Sequence, residues 1–544
     1  MTNPIQTSAS RANERGIALV LSLFLMMAMS MVAASMMFMS QTETYGTMNY
    51  RMMSQARYGA ESGVHKAANY LLSDGYALLK PGTAGDPLTN YNLTVSPVTY
   101  NGLPVVLSTV SSQAQNYPVA AVKTAFTTAG QGTLNAGLTT IQYTAYATLT
   151  AMQLTENNEV IQRWDITAIG AIGGGRPATE EVRATLETQI VPNHGYSAFA
   201  TASGCGAITF QGGAVTDSYD STAYTGNGST PPTTIAANGD VGTNGNLKEG
   251  GTGTTLYGKL YTPRSGVGTC SSGGITALTQ SGGATVTGGL VELPQQWTPP
   301  TPTIITPSPL PPTTNLSISS TTTCANLASV LSGGATCTGT APNLTINPNG
   351  ATISWGNLSV SNGANVTFLP GTYNLNSLAV SQTGTKLTIG NGTTAGPITM
   401  TLVGTDASRT VDISSSGTLA VPAAAKGVNT FVMNVVTSNQ SNNTPVNVTG
   451  GGVFENKTYD PQVFVINYAG TNASTVSGGG AAAFVLNAPN ADLDLTGGSN
   501  FYGSMIVKTL KNTGGTSLHY DKNLANFYGI AGNPLLSEFS WKRF

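Results

Sequence analysis

Gly16-Ile-Ala-Leu-Val-Leu-Ser-Leu-Phe-Leu25 begins a stretch that continues to Met39. The 23 residues after the glycine include no charged side chain and no proline. At about 1.5 Å per residue, a helix of that length spans roughly 35 Å, which is enough to cross a bilayer. Arg11 and Arg15 precede it. Because basic residues stay on the cytoplasmic side, we expect a cytoplasmic N-terminus and export of everything after Met39.

Three interpretations of this segment differ in its fate after insertion. A plain signal anchor keeps it whole, and a secretory signal is cut before Ser35, after the small residues Val32-Ala-Ala34. The apolar run, however, exceeds the ~7–15-residue core of a secretory signal. A prepilin-type leader, residues 1–16, is cut between Gly16 and Ile17 and leaves the apolar helix on the mature chain. A basic leader with glycine directly before an unbroken apolar helix favours this third interpretation.

The helical pattern continues beyond the membrane-spanning stretch, from Gln41 to Leu72. Arg57, Glu61 and Lys66 lie on its polar side. An ordinary amphipathic helix packed on its own domain has the same pattern. Small or apolar residues recur every three or four positions and form one stripe: Ala56, Ala60, Gly63, Ala67 and Leu71.

These residues carry a resemblance. Arg15-Gly-Ile-Ala-Leu-Val, followed by Gln55-Ala-Arg-Tyr-Gly-Ala-Glu-Ser-Gly, resembles the N-terminal module of PilX-type minor pilins over roughly residues 11–72. The resemblance implies a prepilin in the bacterial inner membrane, which a prepilin peptidase cuts at Gly16–Ile17 and N-methylates. It further implies an extracellular type IV pilus in which the partners are other minor and major pilins and a tip adhesin.

Position 21 departs from the pattern of the major pilins. They resemble one another in a glutamate five residues into the mature helix, and here that position is Leu21. PilX-like proteins and the K-type pseudopilins of type II secretion also lack this acid. The departure favours a minor, tip-proximal or priming subunit over a bulk filament subunit.

The composition indicates that the exported part is polar but nearly uncharged. Only 8% of the residues are charged, against about 25% in an average soluble domain. The net charge of −2 gives no indication of a nucleic-acid partner. We expect no cofactor.

All four cysteines lie in the exported part. An even number in an oxidising compartment predicts two disulfides. Three pairings of Cys205, Cys270, Cys324 and Cys337 remain open, of which Cys324–Cys337 would close a short loop and Cys205–Cys270 a long one. The four cysteines predict no metal site, because the sequence has neither a CxxC motif nor clustered histidines.

We predict an α+β protein with several parts. Residues 17–80 form the transmembrane and pilin helix, and residues 81–192 a small antiparallel sheet. Alternating patterns after Thr139, Trp164 and Glu181 predict three of its strands, with a hairpin turn at Gly173-Gly-Gly175.

The rest of the chain, from residue 193 onwards, is predicted to be a large all-β region. Short strands separated by Gly-Gly or Asn-Gly turns, with a spacing of about 17–21 residues, favour a right-handed β-solenoid. A β-sandwich is the alternative. A Pro/Thr-rich linker or strap, 297–314, separates a first β-rich part, 193–296, from a C-terminal solenoid-like part, 315–544.

The C-terminal part carries a second resemblance. Val485-Leu-Asn-Ala-Pro-Asn, Gly497-Gly-Ser-Asn-Phe-Tyr-Gly and His519-Tyr-Asp521 resemble elements of the β-domain that is attached to PilX-like N-termini. His519 and Asp521 also have acid–base chemistry, but neighbours on a strand point to opposite faces, so we interpret this group as a structural strand end.

Other acidic residues are candidates for a carbohydrate-cleaving groove or a calcium site, but they are scattered along the chain. The segment Asp217-Ser-Tyr-Asp220 has oxygen ligands for calcium, although a solvated turn explains it more simply. The remaining candidates for a groove are Asp240, Asp492 and Asp494. No nucleotide-binding, nucleophile-elbow or zinc-protease motif is found, so we expect no enzymatic activity.

The sequence therefore predicts a PilX-like minor pilin that acts in pilus assembly at or near the tip and takes part in adhesion. The alternatives are a membrane-anchored or secreted β-solenoid adhesin and, less favoured, a surface polysaccharide lyase or hydrolase.

Overall fold

A long N-terminal helix, a small antiparallel sheet and a large all-β region make up the protein, as the sequence predicts. The computed structural model describes residues 14–72, 99–100, 103–109, 120–136, 139–154, 160–174, 177–192, 194–331, 333–405, 408–436, 444–477, 482–526 and 528–543. The three α-helices are α1 (Glu14–Leu71), α2 (Ala120–Ala129) and α3 (Cys324–Leu327). Short 3₁₀ helices lie at Ala423–Ala425, Pro461–Val463 and Lys522–Asn526.

The strands that precede the large β region are β1 (Thr99–Tyr100), β2 (Leu103–Pro104), β3 (Val106–Ser108), β4 (Gln131–Ala136), β5 (Thr139–Leu154), β6 (Val160–Ile172) and β7 (Ala178–Pro192). The next group is β8 (Ala198–Ala200), β9 (Ile208–Phe210), β10 (Val215–Tyr219), β11 (Val241–Thr243), β12 (Leu247–Gly250), β13 (Thr255–Leu256), β14 (Leu260–Thr262), β15 (Leu278–Ser281), β16 (Thr285–Val286) and β17 (Leu290–Glu292).

The C-terminal strands begin with β18 (Asn315–Ile318), β19 (Thr336–Thr340), β20 (Asn343–Asn347), β21 (Thr352–Val360), β22 (Asn365–Phe368), β23 (Gly371–Ser381), β24 (Lys386–Ile389), β25 (Gly396–Leu402), β26 (Arg409–Ser414) and β27 (Thr418–Val421). They continue with β28 (Asn429–Val435), β29 (Thr444–Val448), β30 (Val453–Asn456), β31 (Phe464–Tyr468), β32 (Ser474–Ser477), β33 (Ala482–Thr496), β34 (Asn500–Asn512), β35 (Ser517–Asp521) and β36 (Tyr528–Arg543).

The antiparallel sheet packs beneath the second half of α1. The strands β5, β6 and β7 pair antiparallel in sequence, and the pairing of β6 with β7 extends to Ile172 and Ala178, which confirms the predicted strands and their hairpin pairing. Gly175 of the predicted turn lies outside the described residues. Strands β3 and β4 both pair with β5. Alternate residues point to one face, so Leu149, Trp164 and Leu186 are buried in one core with Ala60 and Val64 of the helix.

The last strand, β36, also belongs to this sheet. It pairs antiparallel with β7, for example Leu536 with Leu186. The sequence predicts instead that residues 528–543 belong to the C-terminal part. The physical reason for the observed pairing is that β36 covers the hydrogen-bonding edge that β7 would otherwise expose.

Apart from the antiparallel pair β19–β20, the paired strands of the large β region form a ladder of parallel strands in the part of the chain that the structure describes. One unbroken path of parallel pairs runs β18–β21–β23–β25–β28–β31–β33–β34–β8–β11–β14–β17. Strands from both sides of segment 297–314 therefore belong to one ladder, and they meet where β34 pairs with β8. The paired residues Thr352 and Thr372 lie 20 positions apart in the sequence, whereas the paired residues Phe431 and Phe464 lie 33 positions apart. The predicted spacing of about 17–21 residues therefore holds for only part of the ladder.

Apolar side chains follow this path in register and form the core of the region. Their burial is the main stabilising term for so charge-poor a protein. One such column comprises Ile353, Tyr373, Met400, Met433, Ile466, Leu486, Met505, Ala198, Val241, Leu260 and Leu290.

Segment 297–314 lies along the outside of the ladder. At its start, the side chain of Asn244 accepts a hydrogen bond from the backbone N–H of Trp297 (2.8 Å) and donates one to its carbonyl (2.7 Å). The Trp297 ring packs edge-on against Phe199, with 4.4 Å between the ring centroids. Near the other end of the segment, Asn357 Nδ2 donates to the carbonyl of Thr313 (3.0 Å). The segment thus contacts β8 at one end and β21 at the other.

Candidate assembly surface

The first half of α1 presents its apolar residues to the surroundings. Ile17, Phe24 and Phe38 are 69%, 66% and 68% exposed. The helical segment Gly16–Leu71 is the one span in the described residues that is long and apolar enough to cross a membrane, and its most apolar window has no buried residue. Water would make this exposure costly, so the segment is suited to lipid or to the helices of other subunits.

Several hydroxyl groups in this half donate hydrogen bonds to carbonyls of the helix itself. Ser30 donates to the carbonyl of Met26 (2.7 Å) and Thr42 to that of Phe38 (2.8 Å). Such back-bonding removes free hydroxyls from a surface that lies in hydrocarbon, where an unsatisfied polar group is costly. The few polar residues of the segment are therefore compatible with a bilayer.

The second half of α1 packs closely on the sheet through the predicted stripe. Ala56 and Ala60 are fully buried. A methyl group on Gly170 of β6 would lie 2.0 Å from the carbonyl oxygen of Ala56 and 2.6 Å from the backbone nitrogen of Ala60. A methyl group on Gly63 would lie 2.9 Å from Cβ of Ala168. The small residues of the motif that begins at Gln55 therefore have a structural purpose, because they allow the helix backbone to approach the strand.

The predicted processing residues lie on the exposed helix. No atom would lie within 4 Å of a Cβ on Gly16, and Leu21, where major pilins carry an acid, is 70% exposed. The Gly16–Ile17 junction thus lies on an exposed part of the helix, with Ile17 itself 69% exposed.

The four cysteines form two disulfides, which confirms the predicted number. Cys205 pairs with Cys270 and Cys324 with Cys337, which resolves the three pairings that the sequence left open. The second disulfide ties α3 to β19.

His519 and Asp217, which the sequence placed in different motifs, lie together. Strand β10 pairs with β35 so that the two residues are in register, and His519 Nδ1 is hydrogen-bonded to Asp217 Oδ1. His519 Nε2 is 3.2 Å from Asn500 Oδ1, and the ring of Tyr502 covers the imidazole at 4.5 Å. Both members of the pair are 7% exposed, so they are buried beside Tyr502 and not presented to a substrate. The strand end predicted here is observed.

Asp521 lies at the end of the same strand and is fully buried. Its Oδ1 accepts hydrogen bonds from the backbone N–H groups of Ser221 (3.0 Å) and Asn523 (3.1 Å). Among the described residues, nothing donates to its Oδ2. Burial raises the pKa of Asp521 to about 6.

The other aspartates make separate local contacts. Asp220 caps a turn through the hydroxyl of Thr222 (2.5 Å), Asp240 accepts the backbone N–H of Lys259 (2.8 Å), and Asp492 accepts the hydroxyl of Thr509. In the part of the chain that the structure describes, no group of three or more His, Cys, Asp or Glu residues is arranged to hold a metal ion.

Comparison with known proteins identifies two segments. Residues 15–65 match the PilX N-terminal family, and residues 342–527 match a domain of unknown function, DUF7305. No curated protein matches the chain.

Among solved structures, the competence-associated pilin ComZ from Thermus thermophilus aligns with 91% of this chain and 98% of its own. The sequence identity is 13% and the TM-score 0.30, and a score this low does not establish a shared fold. The match of residues 15–65 confirms the resemblance drawn from the sequence for this segment, and the apolar helix that it covers fits the membrane anchor of a type IV pilin.

Proposed function

We propose that this protein is a minor pilin of a bacterial type IV pilus that acts in pilus assembly at or near the tip. One observation carries the proposal. A single unbroken helix, α1, exposes apolar residues along its first half and packs its second half on the sheet through small residues. Such a helix holds a subunit in the inner membrane and then packs among the helices of other minor and major pilins.

The processing step belongs to the same proposal. A prepilin peptidase removes residues 1–16 on the cytoplasmic side and methylates the new amine of Ile17. The exposed Gly16–Ile17 junction supports this step. Leu21 supplies no carboxylate for the amine of a neighbouring subunit, which supports a minor position over a repeated one.

We further propose that the parallel ladder is a β-solenoid carried outside the cell. Sandwiches are built from antiparallel sheets, whereas every pair along the path from β18 to β17 is parallel. A domain of this size does not suit a tightly repeating shaft, which supports a place at the tip beside a tip adhesin.

Adhesion is a second candidate function of the solenoid. An outward-facing row of amides, Asn434, Asn467 and Asn487, is linked by hydrogen bonds of 3.1 and 3.0 Å. Such a row offers donors and acceptors to a polar surface. The separate contacts of the aspartates give no support to the hydrolase or lyase alternative.

Deletion of the gene in a piliated host separates these proposals. Loss of surface pili by electron microscopy, restored by the wild-type gene, is the expected result. Normal piliation with lost attachment would favour the adhesin instead. Normal piliation with normal attachment would contradict both.

A further inference from the structure

A cleft of about 420 Å³ lies on the face of the antiparallel sheet that points away from α1. Alternate residues of a strand point to opposite faces. Trp164 and Leu186 are buried in the core beneath the helix, so Arg163, Asp165 and Thr185 lie on the other face, where they line the cleft. Its volume falls within the range of about 300–1,000 Å³ that is typical of ligand pockets.

Two irregularities of strand pairing border the cleft. The register of β5 against β6 shifts between Leu149 and Ala151, and that of β36 against β7 shifts between Ser537 and Ser540. Such bulges bend a strand and redirect its side chains. Ala151 and Ser540 both line the cleft, where their small side chains leave space for a ligand.

Arg183, in the lining of the cleft, is held in place by a buried carboxylate. Its Nε donates to Oε1 of Glu181 at 2.7 Å. The side chain of Glu181 is 8% exposed, whereas that of Arg183 is 60% exposed. Within the described part of the chain, Glu181 is the one hydrogen-bonded partner of the Arg183 side chain. The terminal nitrogens of this oriented guanidinium can therefore donate to a molecule in the cleft.

Asp165 supplies an acceptor in the same cleft. It pairs in register with Thr185, whose hydroxyl donates to Asp165 Oδ1 at 3.2 Å. A carboxylate has about four acceptor positions, so this one hydrogen bond leaves acceptor capacity for a ligand. Further hydroxyl groups, which can donate as well as accept, belong to Thr150, Thr167 and Ser540 in the lining.

The charges around the cleft disfavour a charged ligand. Arg163 is 3.9 Å from a carboxylate oxygen of Glu187, and Arg183 is paired with Glu181. With Asp165, these two arginines therefore have three carboxylates near them. An anion would meet those carboxylates and a cation the two guanidinium groups, whereas an uncharged ligand that donates and accepts hydrogen bonds suits both.

We infer that this cleft binds an uncharged sugar. The sugar hydroxyls accept hydrogen bonds from Arg183 and donate them to Asp165. Tyr146 is in register with Thr167 and half-buried on the same face, so its ring can pack against the apolar side of a sugar beside the cleft. The site is separate from the amide row of the ladder, to which adhesion is assigned above.

The test is an array of neutral and acidic oligosaccharides, probed with the labelled full chain in a detergent that has no sugar headgroup. We expect binding to at least one neutral oligosaccharide. Calorimetry with that oligosaccharide should show binding at least about tenfold weaker in Arg183→Gln and in Asp165→Asn, because each variant loses a hydrogen bond to a charged group. The control Arg409→Gln, at a half-exposed ion pair on the ladder, should bind like the wild type.

Three results would overturn the inference. They are no binding to any neutral oligosaccharide, binding confined to acidic ones, and equal binding by the wild type and Arg183→Gln. The last result would mean that the sugar binds elsewhere on the chain.

A second variant guards against misfolding of Arg183→Gln, which leaves Glu181 without its partner. Ser540 is exposed, so Ser540→Trp should fill the cleft, abolish binding and leave the unfolding midpoint unchanged. The control Thr140→Trp, at an exposed position on β5 outside the cleft, should retain binding. Full binding by a folded Ser540→Trp would contradict the proposed site. Neither assay depends on piliation, so the inference and the proposed function fail independently.

Discussion

Gly170→Ala tests whether the close approach of α1 to the sheet holds the two together. The added methyl group would lie 2.0 Å from a backbone oxygen of Ala56 and 2.6 Å from the backbone nitrogen of Ala60. Neither atom belongs to a flexible side chain, so the helix itself has to move outward. Overpacking of this kind costs about 1–3 kcal/mol, and we expect the upper part of that range because the obstacle is backbone.

Hydrogen exchange of the full chain in detergent measures this loss locally. Since about 1.4 kcal/mol corresponds to a factor of ten, amides of residues 60–71 should exchange up to about a hundredfold faster in Gly170→Ala. Amides of the parallel ladder should not change. Gly173→Ala is the matched control, because it lies in the same hairpin and has no atom within 4 Å of the new methyl group. Exchange in Gly170→Ala within a factor of two or three of the wild type would refute the reasoning.

Two further predictions concern the ladder. Burial raises the pKa of Asp521 from 3.8 to about 6, so the folded state is stabilised when this carboxyl is protonated. The contribution of Asp521 to the free energy of unfolding is therefore complete below pH 4 and is lost as the pH rises through 6. The loss in the free energy of unfolding is about 3 kcal/mol. The urea concentration at the midpoint of unfolding should therefore fall less between pH 4 and pH 7 in Asp521→Asn than in the wild type. The control Asp494→Asn, at an exposed carboxylate, should behave like the wild type. Asn244→Ala should cost about 1–3 kcal/mol and speed exchange at Trp297, whereas Asn490→Ala, whose bond to segment 297–314 is 3.3 Å long and exposed, should change little. Equal effects of Asn244→Ala and Asn490→Ala would show that Asn244 does not anchor the segment.

The periodicity of the sequence predicts the individual helices and strands of this fold. The helix stripe from Ala56 to Leu71 and the strands β5 to β7 follow directly from spacings of three to four and of two residues. The number of disulfides follows from the cysteine count and the compartment, while their pairing comes from the structure. In each case the residues that carry the pattern are also the ones that make the contact.

The order of the ladder could not be predicted in the same way. Gly-Gly turns show where short strands end but not which strands pair. The pairing of Met505 with Ala198 therefore cannot be predicted from the sequence. The pair His519 and Asp217, 302 residues apart, was missed for that reason. The pairing of β36 with β7 is not predictable from the sequence either, because an edge-completing strand is defined by the edge it covers rather than by its own pattern.

Mass spectrometry of the mature N-terminus tests the central claim most directly. We expect a chain that begins at Ile17 with one N-methyl group and retains the apolar helix to Met39. A chain that begins at Ser35, or one that keeps residues 1–16, would contradict it.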